Sequence, residues 1–364
     1  MKILHIVPNL EIGGAEKILA TLIENRSKSN IKHYVISIFG SGPIIDRIQG
    51  YCEKIYFINL HKFNFFHFII TFIKIKDLKP NKIIGWMYNS SLLAVIINKI
   101  FFPKIPVIWC FRHSLYDKYH EKYSTRIIIQ TLILFRKHVH KIVYNSLKSK
   151  QLHEAYGFKN INSDIIYNGY KSNIRFNNKS LDKRQLNPTK NLKFIGMIAN
   201  YRTFKDHKNC IRAFKYIKEK YSNITLVLIG RDINSDNINL KKIIEDFELS
   251  DSIKLLGLVD DVYSYLKFFY FTILSSKSES FPNVIAESMI VGTPVVSTNV
   301  GDAKYIIGDS GYLVPPESPK LLAKSCIKML QLNENIYNQM CINARNRIVK
   351  NFKLDTMVRK FETL

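Results

Sequence analysis

The sequence predicts an α/β protein made of two doubly wound domains with a cleft between them. Short apolar runs alternate with helical stretches through both halves of the 364-residue chain. Runs this apolar are typical of parallel strands that helices cover on both faces. The polar stretch 171–190 separates the halves and has almost no periodic apolar residues, which is typical of a linker. The length fits two domains, or one large one.

Apolar runs define the predicted strands in chain order. In the first half they are KILHIVPN, HYVISIF, KIYFINL, KIIGWMY, PVIWCF and KIVYNS, and in the second half KFIGMIA, ITLVLIG, IKLLG, YFTILSS and PVVSTN. They predict a first domain over residues 1–175, a linker over 176–190 and a second domain over 191–345. Residues 346–364 are expected to form a C-terminal helix that packs back toward the first domain.

The composition excludes several classes of protein. Apolar residues make up 46% and charged residues 23%, which excludes a disordered chain. The five scattered cysteines include no CxxC motif, so they argue against a disulfide scaffold or a structural zinc site and favour a reducing compartment. The N-terminus does not have the pattern of a signal peptide. The sequence contains no run of 18 apolar residues without a charged residue, so it predicts no transmembrane helix. We therefore expect a cytoplasmic protein.

The net charge of +25 at pH 7 predicts an anionic partner, although a biased genome would explain part of it. Residues 1–180 carry 27 basic and 10 acidic residues, and two segments there, 62–76 and 126–141, combine apolar and basic side chains. Such segments are typical of proteins that lie on anionic membranes, and core helices with solvated ends are the alternative. We expect peripheral binding to the inner face of the cytoplasmic membrane.

Nucleic acid is the rival partner that the charge suggests. The sequence has no zinc finger, helix-turn-helix or RNA-binding sheet motif, so we expect no nucleic-acid partner.

Gly13-Gly14-Ala15-Glu16 follows the first predicted strand and opens a helix. Glycines at such a place let backbone N–H groups approach a phosphate at the positive end of the helix dipole. The spacing is not GxGxxG and no acidic ribose-binding residue follows, which disfavours a dinucleotide site. A tight strand-to-helix turn without a ligand is the alternative.

Glu279 and Glu287 enclose the residues Ser-Phe-Pro-Asn-Val-Ile-Ala after the strand YFTILSS. Ser280 is the expected N-cap of a helix and Pro282 suits its first turn. Glu279 would then lie in the loop and Glu287 about a turn and a half inside the helix. The backbone N–H groups of residues 281–284 would suit an anion. A capped helix with an incidental glutamate is the alternative.

Arg202 and Lys205 lie three residues apart, just after the strand KFIGMIA. Two cations on a loop at the carboxyl end of a strand could clamp a diphosphate. A solvated basic loop is the alternative.

The order and spacing of these motifs together resemble family 4 of the retaining glycosyltransferases, which have the GT-B fold. The resemblance covers nearly the whole chain and is densest over residues 194–316. Its further pieces are VYNSLKSK, IIYNG, LVLIGRD, LLGLVDDV and PVVSTNVGDAKYIIGDSGYLVPP. In that family the second domain binds a nucleotide-sugar donor and the first domain binds the acceptor.

The resemblance implies a role for each matching residue. Arg202 and Lys205 would hold the donor diphosphate, and Gly14 would offer its backbone N–H to the phosphates from across the cleft. Glu279 would contact the donor sugar, and Glu287 would bind the ribose hydroxyls. The other donor-binding residues that it implies are Gly230, Arg231, Leu258, Val259, Phe281, Pro282, Asn283 and Val284.

The sequence departs from the family pattern at several positions. Ser280 replaces the usual glycine of an E-G-F-P run, and Asp302 and Ala303 stand where a Gly-Gly pair is common. Many family members have a catalytic histidine after the strand written here as PVIWCF. Arg112 and His113 compete for that role, and we favour His113.

The resemblance implies a retaining transfer that needs neither a metal nor a cofactor. Bond cleavage leaves negative charge on the diphosphate, which Arg202, Lys205 and the helix N-terminus would stabilise. Without an obvious nucleophile we expect front-face attack, in which the departing phosphate oxygen accepts the acceptor's proton. The alternatives are Glu279 as a covalent nucleophile, as in retaining glycosidases, and a magnesium site at Asp260-Asp261.

The expected substrates are a nucleotide-sugar, with UDP the commonest carrier in the family, and a saccharide acceptor. The expected acceptor is a lipid-linked saccharide. It would be used to assemble a surface polysaccharide, such as lipopolysaccharide or capsule, or another glycan. A catalytically inactive relative that serves as an assembly partner is the rival function.

Overall fold

The computed structural model describes residues 1–27, 30–59, 73, 75–116, 122–159, 162–174 and 192–364. The chain forms two compact units. The first comprises Met1–Gly169 and Leu354–Leu364, and the second comprises Tyr170–Lys353. The chain therefore passes between the units after Gly169 and again after Lys353. The predicted linker, residues 176–190, lies outside the described residues.

The first unit contains a seven-stranded sheet. Its strands are β1 Lys2–Val7, β2 Lys32–Ser37, β3 Cys52–Phe57, β4 Lys82–Trp86, β5 Val107–Phe111, β6 Lys141–Tyr144 and β7 Ser163–Ile165. All pairings are parallel, in the order β3-β2-β1-β4-β5-β6-β7. The strand order reverses between β1 and β4, where Leu4 lies opposite Ile83.

Helices cover this sheet. The described ones are Gly14–Glu24, Ile44–Ile48, Met87–Phe101, Tyr123–Phe135, Leu147–Tyr156 and Leu354–Glu362. The predicted segment 126–141 comprises most of the helix Tyr123–Phe135, a 3-10 turn over Arg136–His138 and the first residue of β6. Almost all of the other basic segment, 62–76, lies outside the described residues.

The second unit contains a six-stranded sheet. Its strands are β8 Lys193–Ile198, β9 Ile224–Ile229, β10 Ile253–Leu255, β11 Phe271–Leu274, β12 Val295–Thr298 and β13 Gly311–Val314. The order is β10-β9-β8-β11-β12-β13, again with parallel pairing throughout. The order reverses between β8 and β11, so both sheets have the topology of dinucleotide-binding folds.

The helices of the second unit begin at side-chain caps in several places. They are His207–Lys218, Ile238–Asp246, Val262–Phe268, Asn283–Ile290, Ala303–Ile307, Pro319–Leu330 and Glu334–Asn351. The side chains of Asp206, Asn237, Asp261 and Asn333 each accept a backbone N–H of the helix that follows. Such caps satisfy N–H groups that have no partner within the helix.

The predicted doubly wound α/β architecture is confirmed. Alternate residues of β1 pack into separate cores on the two faces of the sheet: Leu4 and Ile6 on one face, Ile3 and Val7 on the other. The strand prediction missed the edge strands β7 and β13. They have only three and four residues and are mostly half-buried, so they lack the long apolar run that marks the central strands.

The C-terminal helix Leu354–Glu362 packs against the first sheet through a buried lysine. The Lys82 ammonium, at the start of β4, donates to the carbonyl oxygens of Phe361 (3.0 Å), Glu362 (2.6 Å) and Leu364 (3.1 Å). A cation at the carboxyl end of a helix satisfies free carbonyls and complements the helix dipole. The Glu362 carboxylate in turn accepts the backbone N–H of Ser27 at 2.8 Å.

Candidate functional site

The two loops that carry the predicted donor residues meet at the reversal point of the second sheet. One loop follows β8 and contains Arg202 and Lys205, and the other follows β11 and contains Glu279. Because β8 and β11 are parallel neighbours, their carboxyl ends lie side by side. Ligands of open α/β sheets bind at this reversal point.

Lys205 and Glu279 form an ion pair across the two loops. The Lys205 Nζ lies 2.5 Å from Glu279 Oε1, and the two side chains are 21% and 12% exposed. The Ser276 hydroxyl donates to the same carboxylate oxygen at 2.8 Å. The Ser275 hydroxyl lies 3.0 Å from the carbonyl oxygen of Lys205, so adjacent serines hold both partners in place.

Arg202 lies beside this pair with an exposed side chain. Its guanidinium forms no ion pair with any residue that the structure describes. Its carbonyl oxygen accepts the backbone N–H of Lys205 at 2.9 Å, which closes the 3-10 turn Thr203–Lys205. The site thus offers one cation paired with a carboxylate and one exposed cation.

Asp206 and His207 complete the loop but have structural roles. Asp206 adopts a left-handed backbone conformation with φ of 50°, and its side chain caps the helix His207–Lys218. Burial raises the pKa of Asp206. His207 is buried against Tyr201, with ring centres 5.3 Å apart, and this burial lowers its pKa to about 4. We conclude that His207 is neutral at pH 7.

The helix that contains Glu287 begins later than the sequence predicts. It covers Asn283–Ile290 with Pro282 at the N-cap and no side-chain cap, so the expectation that Ser280 is the N-cap was wrong. Phe281 precedes a proline, a position where the helical conformation is disfavoured, so the helix starts only after Pro282. Glu287 is therefore about one turn inside the helix.

One face of this helix is accessible. Asn283, Val284 and Glu287 are half-buried, whereas Phe281 and Pro282 are buried. Pro282 has no N–H, so its backbone cannot donate to an anion and only its neighbours in residues 281–284 can. The Tyr170 hydroxyl donates to the Asn283 side-chain oxygen at 2.9 Å.

Gly301 supports the Glu279 loop from the neighbouring strand. It follows β12 with φ of 55°, and a Cβ there would lie 2.7 Å from the Glu279 carbonyl oxygen and still closer to that of Ser280. The next residue, Asp302, donates its N–H to the Ser280 carbonyl oxygen at 3.0 Å. Only glycine fits this close approach of two backbones.

The loops after β8, β9 and β10 are tied together at the same edge of the sheet. The backbone N–H of Arg231 donates to the Asn200 side-chain oxygen at 2.9 Å, and Gly230 donates to the Gly257 carbonyl oxygen at 2.8 Å. Gly230 has φ of 151°. Leu258 follows Gly257 with a side chain that is 65% exposed.

Val259 and the Asp260-Asp261 pair follow Leu258. Val259 packs against a small core cluster beneath the loop. The Asp261 carboxylate caps the helix Val262–Phe268, accepting the backbone N–H groups of Tyr263 (3.1 Å) and Ser264 (3.3 Å). This carboxylate has a structural partner.

In the first unit Gly14 begins the helix Gly14–Glu24, with Gly13 at the N-cap. The Glu16 carboxylate folds back over Gly13, where a Cβ would collide with it. Burial raises the pKa of Glu16. A negative group therefore lies at the positive end of this helix, where the sequence predicts a phosphate contact.

Arg112 and His113 follow β5 in the first unit and have different surroundings. The Arg112 guanidinium donates to the Ile166 carbonyl oxygen at 3.2 Å and to the Asn168 side chain, and it lies 5.8 Å from the centre of the Phe361 ring. The His113 side chain is exposed, and its carbonyl oxygen accepts the Ser149 hydroxyl at 2.7 Å. Arg112 thus binds the framework of the unit, while the side chain of His113 faces solvent.

The structure brings together Arg202, Lys205, Glu279 and the first turn of the helix Asn283–Ile290 in the second unit. Gly14 and His113 belong to the first unit, at the carboxyl ends of β1 and β5. Sequence reasoning did not identify the supporting residues, which are Ser275, Ser276, Gly301 and Tyr170. The two serines end the apolar run YFTILSS, and this position at the end of a predicted strand was the one sequence feature that could have identified them as site residues.

Comparison with known proteins agrees with this fold. Residues 178–347 match the family model described as "Glycosyl transferases group 1". The chain is 29% identical over 237 residues to an uncharacterized glycosyltransferase of Methanocaldococcus jannaschii. This match covers 62% of this chain and 57% of that protein.

Two further relatives have more specific names. The chain is 23% identical over 232 residues to the capsular polysaccharide biosynthesis glycosyltransferase CapM of Staphylococcus aureus, covering 62% of this chain and 58% of CapM. It is 28% identical over 142 residues to the Campylobacter jejuni enzyme named N-acetylgalactosamine-N,N'-diacetylbacillosaminyl-diphospho-undecaprenol 4-alpha-N-acetylgalactosaminyltransferase, covering 38% of each chain. The matches to these relatives thus span well under two thirds of their lengths.

A solved structure matches over the full length. The crystal structure of Anabaena HepE in complex with UDP and glucose has a TM-score of 0.83 and 18% sequence identity, and the match covers 100% of this chain and 98% of HepE. At this identity the match shows that the two proteins share a fold.

Proposed function

Because residues 178–347 match the group 1 glycosyl transferases and the chain has the GT-B fold, we propose that it transfers a sugar from a UDP-sugar to a saccharide acceptor. The observation that carries the proposal is the ion pair of Lys205 and Glu279, held by two serines at the reversal point of the second sheet. A cation and a carboxylate there match the two halves of a nucleotide-sugar, which carries a diphosphate next to sugar hydroxyls.

In the proposed donor site, different residues bind the diphosphate, the sugar and the ribose of the nucleotide-sugar. Arg202, Lys205 and the N-terminal turn of the helix Asn283–Ile290 bind the diphosphate. Glu279 accepts hydrogen bonds from the sugar hydroxyls. Glu287, on the accessible face of the helix, binds the ribose hydroxyls. UDP is the proposed carrier, supported by the UDP-bound neighbour HepE.

The proposed chemistry is retaining and needs no metal or cofactor. As the bond between the anomeric carbon and the phosphate oxygen breaks, the cations and helix dipole stabilise the negative charge on the diphosphate. The acceptor hydroxyl attacks the same face, and its proton passes to the departing phosphate oxygen. His113 is proposed to contact the acceptor.

Product stereochemistry and donor use test this proposal together. The protein is incubated with a saccharide acceptor and, in separate reactions, UDP-glucose, UDP-galactose or UDP-N-acetylglucosamine, and the anomeric configuration of the product is read by NMR. We expect turnover of one donor with retained configuration in the presence of EDTA, at least about a hundredfold slower in Lys205→Met. Lys215→Met is the matched control, since Lys215 pairs with the exposed Glu248 away from this loop. An inverted product, or full loss of activity in EDTA, would contradict the mechanism.

We further propose that the protein binds an anionic membrane through an exposed apolar face on the first unit. Among the residues described, no helix has both the length and the apolar character to cross a membrane. The helices Met87–Phe101 and Tyr123–Phe135 pack together, and we call their exposed large apolar residues the apolar face. These residues are Ile96 (43% exposed), Ile100 (62%), Tyr123 (76%), Ile127 (51%) and Leu134 (77%).

The spacing and the flanking charges favour a membrane over a protein partner. Tyr123, Ile127 and Leu134 recur at helical spacing and lie on one stripe, which also contains the exposed Gln130. Cations lie at both ends of this helix, at residues 122, 126, 136 and 137. The Lys99 ammonium lies 4.7 Å from the centre of the Phe135 ring, where the two helices meet. Apolar side chains between cations match an anionic interface.

Vesicle flotation tests this surface. We expect binding to phosphatidylglycerol vesicles at low salt, weaker binding at roughly 0.5 M salt, and little binding to phosphatidylcholine. The double variant Ile127→Ser/Leu134→Ser should reduce binding at least about fivefold. Ile336→Ser/Ile342→Ser is the matched control, because both isoleucines are also more than half exposed but lie on a helix of the second unit. Equal binding by both double variants would contradict the proposal.

A membrane-bound protein would meet a lipid-linked saccharide, and this is the acceptor we propose. The Campylobacter jejuni relative supports it, since the name of that protein includes a diphospho-undecaprenol carrier. Assembly of a surface polysaccharide is the proposed role, supported by the capsular enzyme CapM. We propose that no nucleic acid is involved.

A further inference from the structure

Glu279 lies where it would compete with a diphosphate for Lys205. Its Oε1 is 2.5 Å from the Lys205 ammonium, so in the ligand-free protein the carboxylate occupies the position of a phosphate oxygen. Both side chains are largely buried, which strengthens the attraction relative to bulk water. Any anion that binds Lys205 must displace this carboxylate or share the ammonium with it.

Glu279 has a second hydrogen-bond partner besides Lys205. The Ser276 hydroxyl also donates to Oε1 at 2.8 Å, so the carboxylate is anchored even when the lysine is not its partner. The other lysine of this loop is already neutralised: Lys277 Nζ lies 2.5 Å from Glu317 and 4.0 Å from Asp206. Lys205 is therefore the cation whose availability depends on Glu279.

We propose that Glu279 promotes release of the nucleoside diphosphate product by taking back the ammonium of Lys205. This inference rests on the proposed function. While the donor is bound, the sugar hydroxyls hold the Glu279 carboxylate, and Lys205 is free for the diphosphate. Once the sugar has left, the carboxylate loses its sugar hydroxyls and returns to Lys205, while the Ser276 hydroxyl continues to donate to it.

The charge change during the reaction makes such a competitor useful. When the glycosidic bond to phosphate breaks, the diphosphate keeps the bonding electron pair and takes up the acceptor's proton. Loss of that proton to solvent then leaves the diphosphate with one more negative charge than it had in the donor. The product would therefore bind the cations more tightly than the donor did. A carboxylate that binds sugar hydroxyls in the donor complex and competes for Lys205 in the product complex weakens product binding selectively.

The two ligands should respond differently when the charge of Glu279 is removed. In Glu279→Gln the amide has nearly the same shape but no charge, so UDP no longer competes with an anion for Lys205. We expect UDP to bind at least about tenfold more tightly than to the wild type. UDP-glucose should gain less or bind more weakly, because the amide is a poorer acceptor for sugar hydroxyls.

Calorimetric titration of the full chain with UDP and UDP-glucose tests the proposal. Glu317→Gln is the matched control: it removes the same charge from the Lys277 pair and should change UDP affinity by less than about twofold. Unchanged or weaker UDP binding by Glu279→Gln, with normal binding by the wild type, would overturn this proposal and leave the donor site intact. If the wild type binds neither ligand, the proposed function fails and this proposal fails with it.

Discussion

Replacing Gly301 with alanine should distort the donor site from a position outside it. Gly301 has φ of 55°, and a Cβ would lie 2.7 Å from the Glu279 carbonyl oxygen and closer still to that of Ser280. The left-handed conformation alone costs a non-glycine residue about 1 to 2 kcal/mol. The collision adds backbone strain, so we expect a total loss of about 2 to 4 kcal/mol. For a unit of this size that is a decrease in Tm of roughly 5 to 12 °C.

Gly292→Ala separates the two contributions. Gly292 has φ of 84°, but the nearest atom to a Cβ is the Cys341 carbonyl oxygen at 3.7 Å, so this variant bears only the conformational cost. Thermal unfolding and calorimetric titration with UDP are measured for both. We expect the larger Tm decrease in Gly301→Ala, and at least about tenfold weaker UDP binding in that variant alone. Equal Tm values and equal UDP affinities would refute the argument that Gly301 holds the Glu279 loop.

Three further predictions concern other parts of the molecule. His5 on β1 and His33 on β2 are buried in the first unit, with His5 Nε2 3.0 Å from His33 Nδ1. Burial lowers the pKa of His33 to about 4 and that of His5 well below its ordinary value. The unfolded chain binds these protons near pH 6.5, so the free energy of unfolding should fall by about 3 kcal/mol from His33 alone as pH drops from about 6.5 to 4. Lys82→Met leaves carbonyls of the C-terminal helix without their buried partner and should cost about 2 to 4 kcal/mol, with faster amide exchange in that helix. Tyr170→Phe removes the hydrogen bond to Asn283 and should raise the donor KM about fivefold with a smaller change in kcat.

Each of these predictions has its own check. His33→Asn should flatten the pH dependence of unfolding between pH 4 and about 6.5, and an unaltered slope would contradict the assignment. Lys360→Met, on the exposed side of the C-terminal helix, should leave amide exchange there unchanged. Tyr216→Phe, on the helix His207–Lys218, is the control for Tyr170→Phe. Equal donor KM values for these two tyrosine variants would show that the Asn283 hydrogen bond has no effect on the donor.

The central strands were predictable because their sequences are almost entirely apolar. β5 and β9 are buried at every residue, and no polar alternation obscures them. The edge strand β7 reads Ser-Asp-Ile and is half-buried throughout, so hydrophobicity does not distinguish it from a loop. The start of the helix Asn283–Ile290 was misplaced because a serine cap was expected where a proline fixes the backbone instead.

The candidate site was predictable in composition but not in geometry. Lys205 and Glu279 were singled out from separate motifs, yet they are 74 residues apart, and no local pattern indicates that they meet. Their contact follows from the strand order, which makes β8 and β11 neighbours. The supporting role of Gly301 depends on the approach of two loops, and such long-range contacts leave no periodic signal in a sequence.

The most direct test of the proposed donor site is a thermal-shift panel of UDP, GDP and ADP and their common sugar conjugates. A ligand present at 100 times its Kd stabilises the folded state by about 2.7 kcal/mol, which corresponds to a shift of several degrees. We predict a shift with UDP and its conjugates that is lost in both Lys205→Met and Glu287→Ala. No shift with any nucleotide, or a shift that survives in both variants, would contradict the assignment of the donor site to the reversal point of the second sheet.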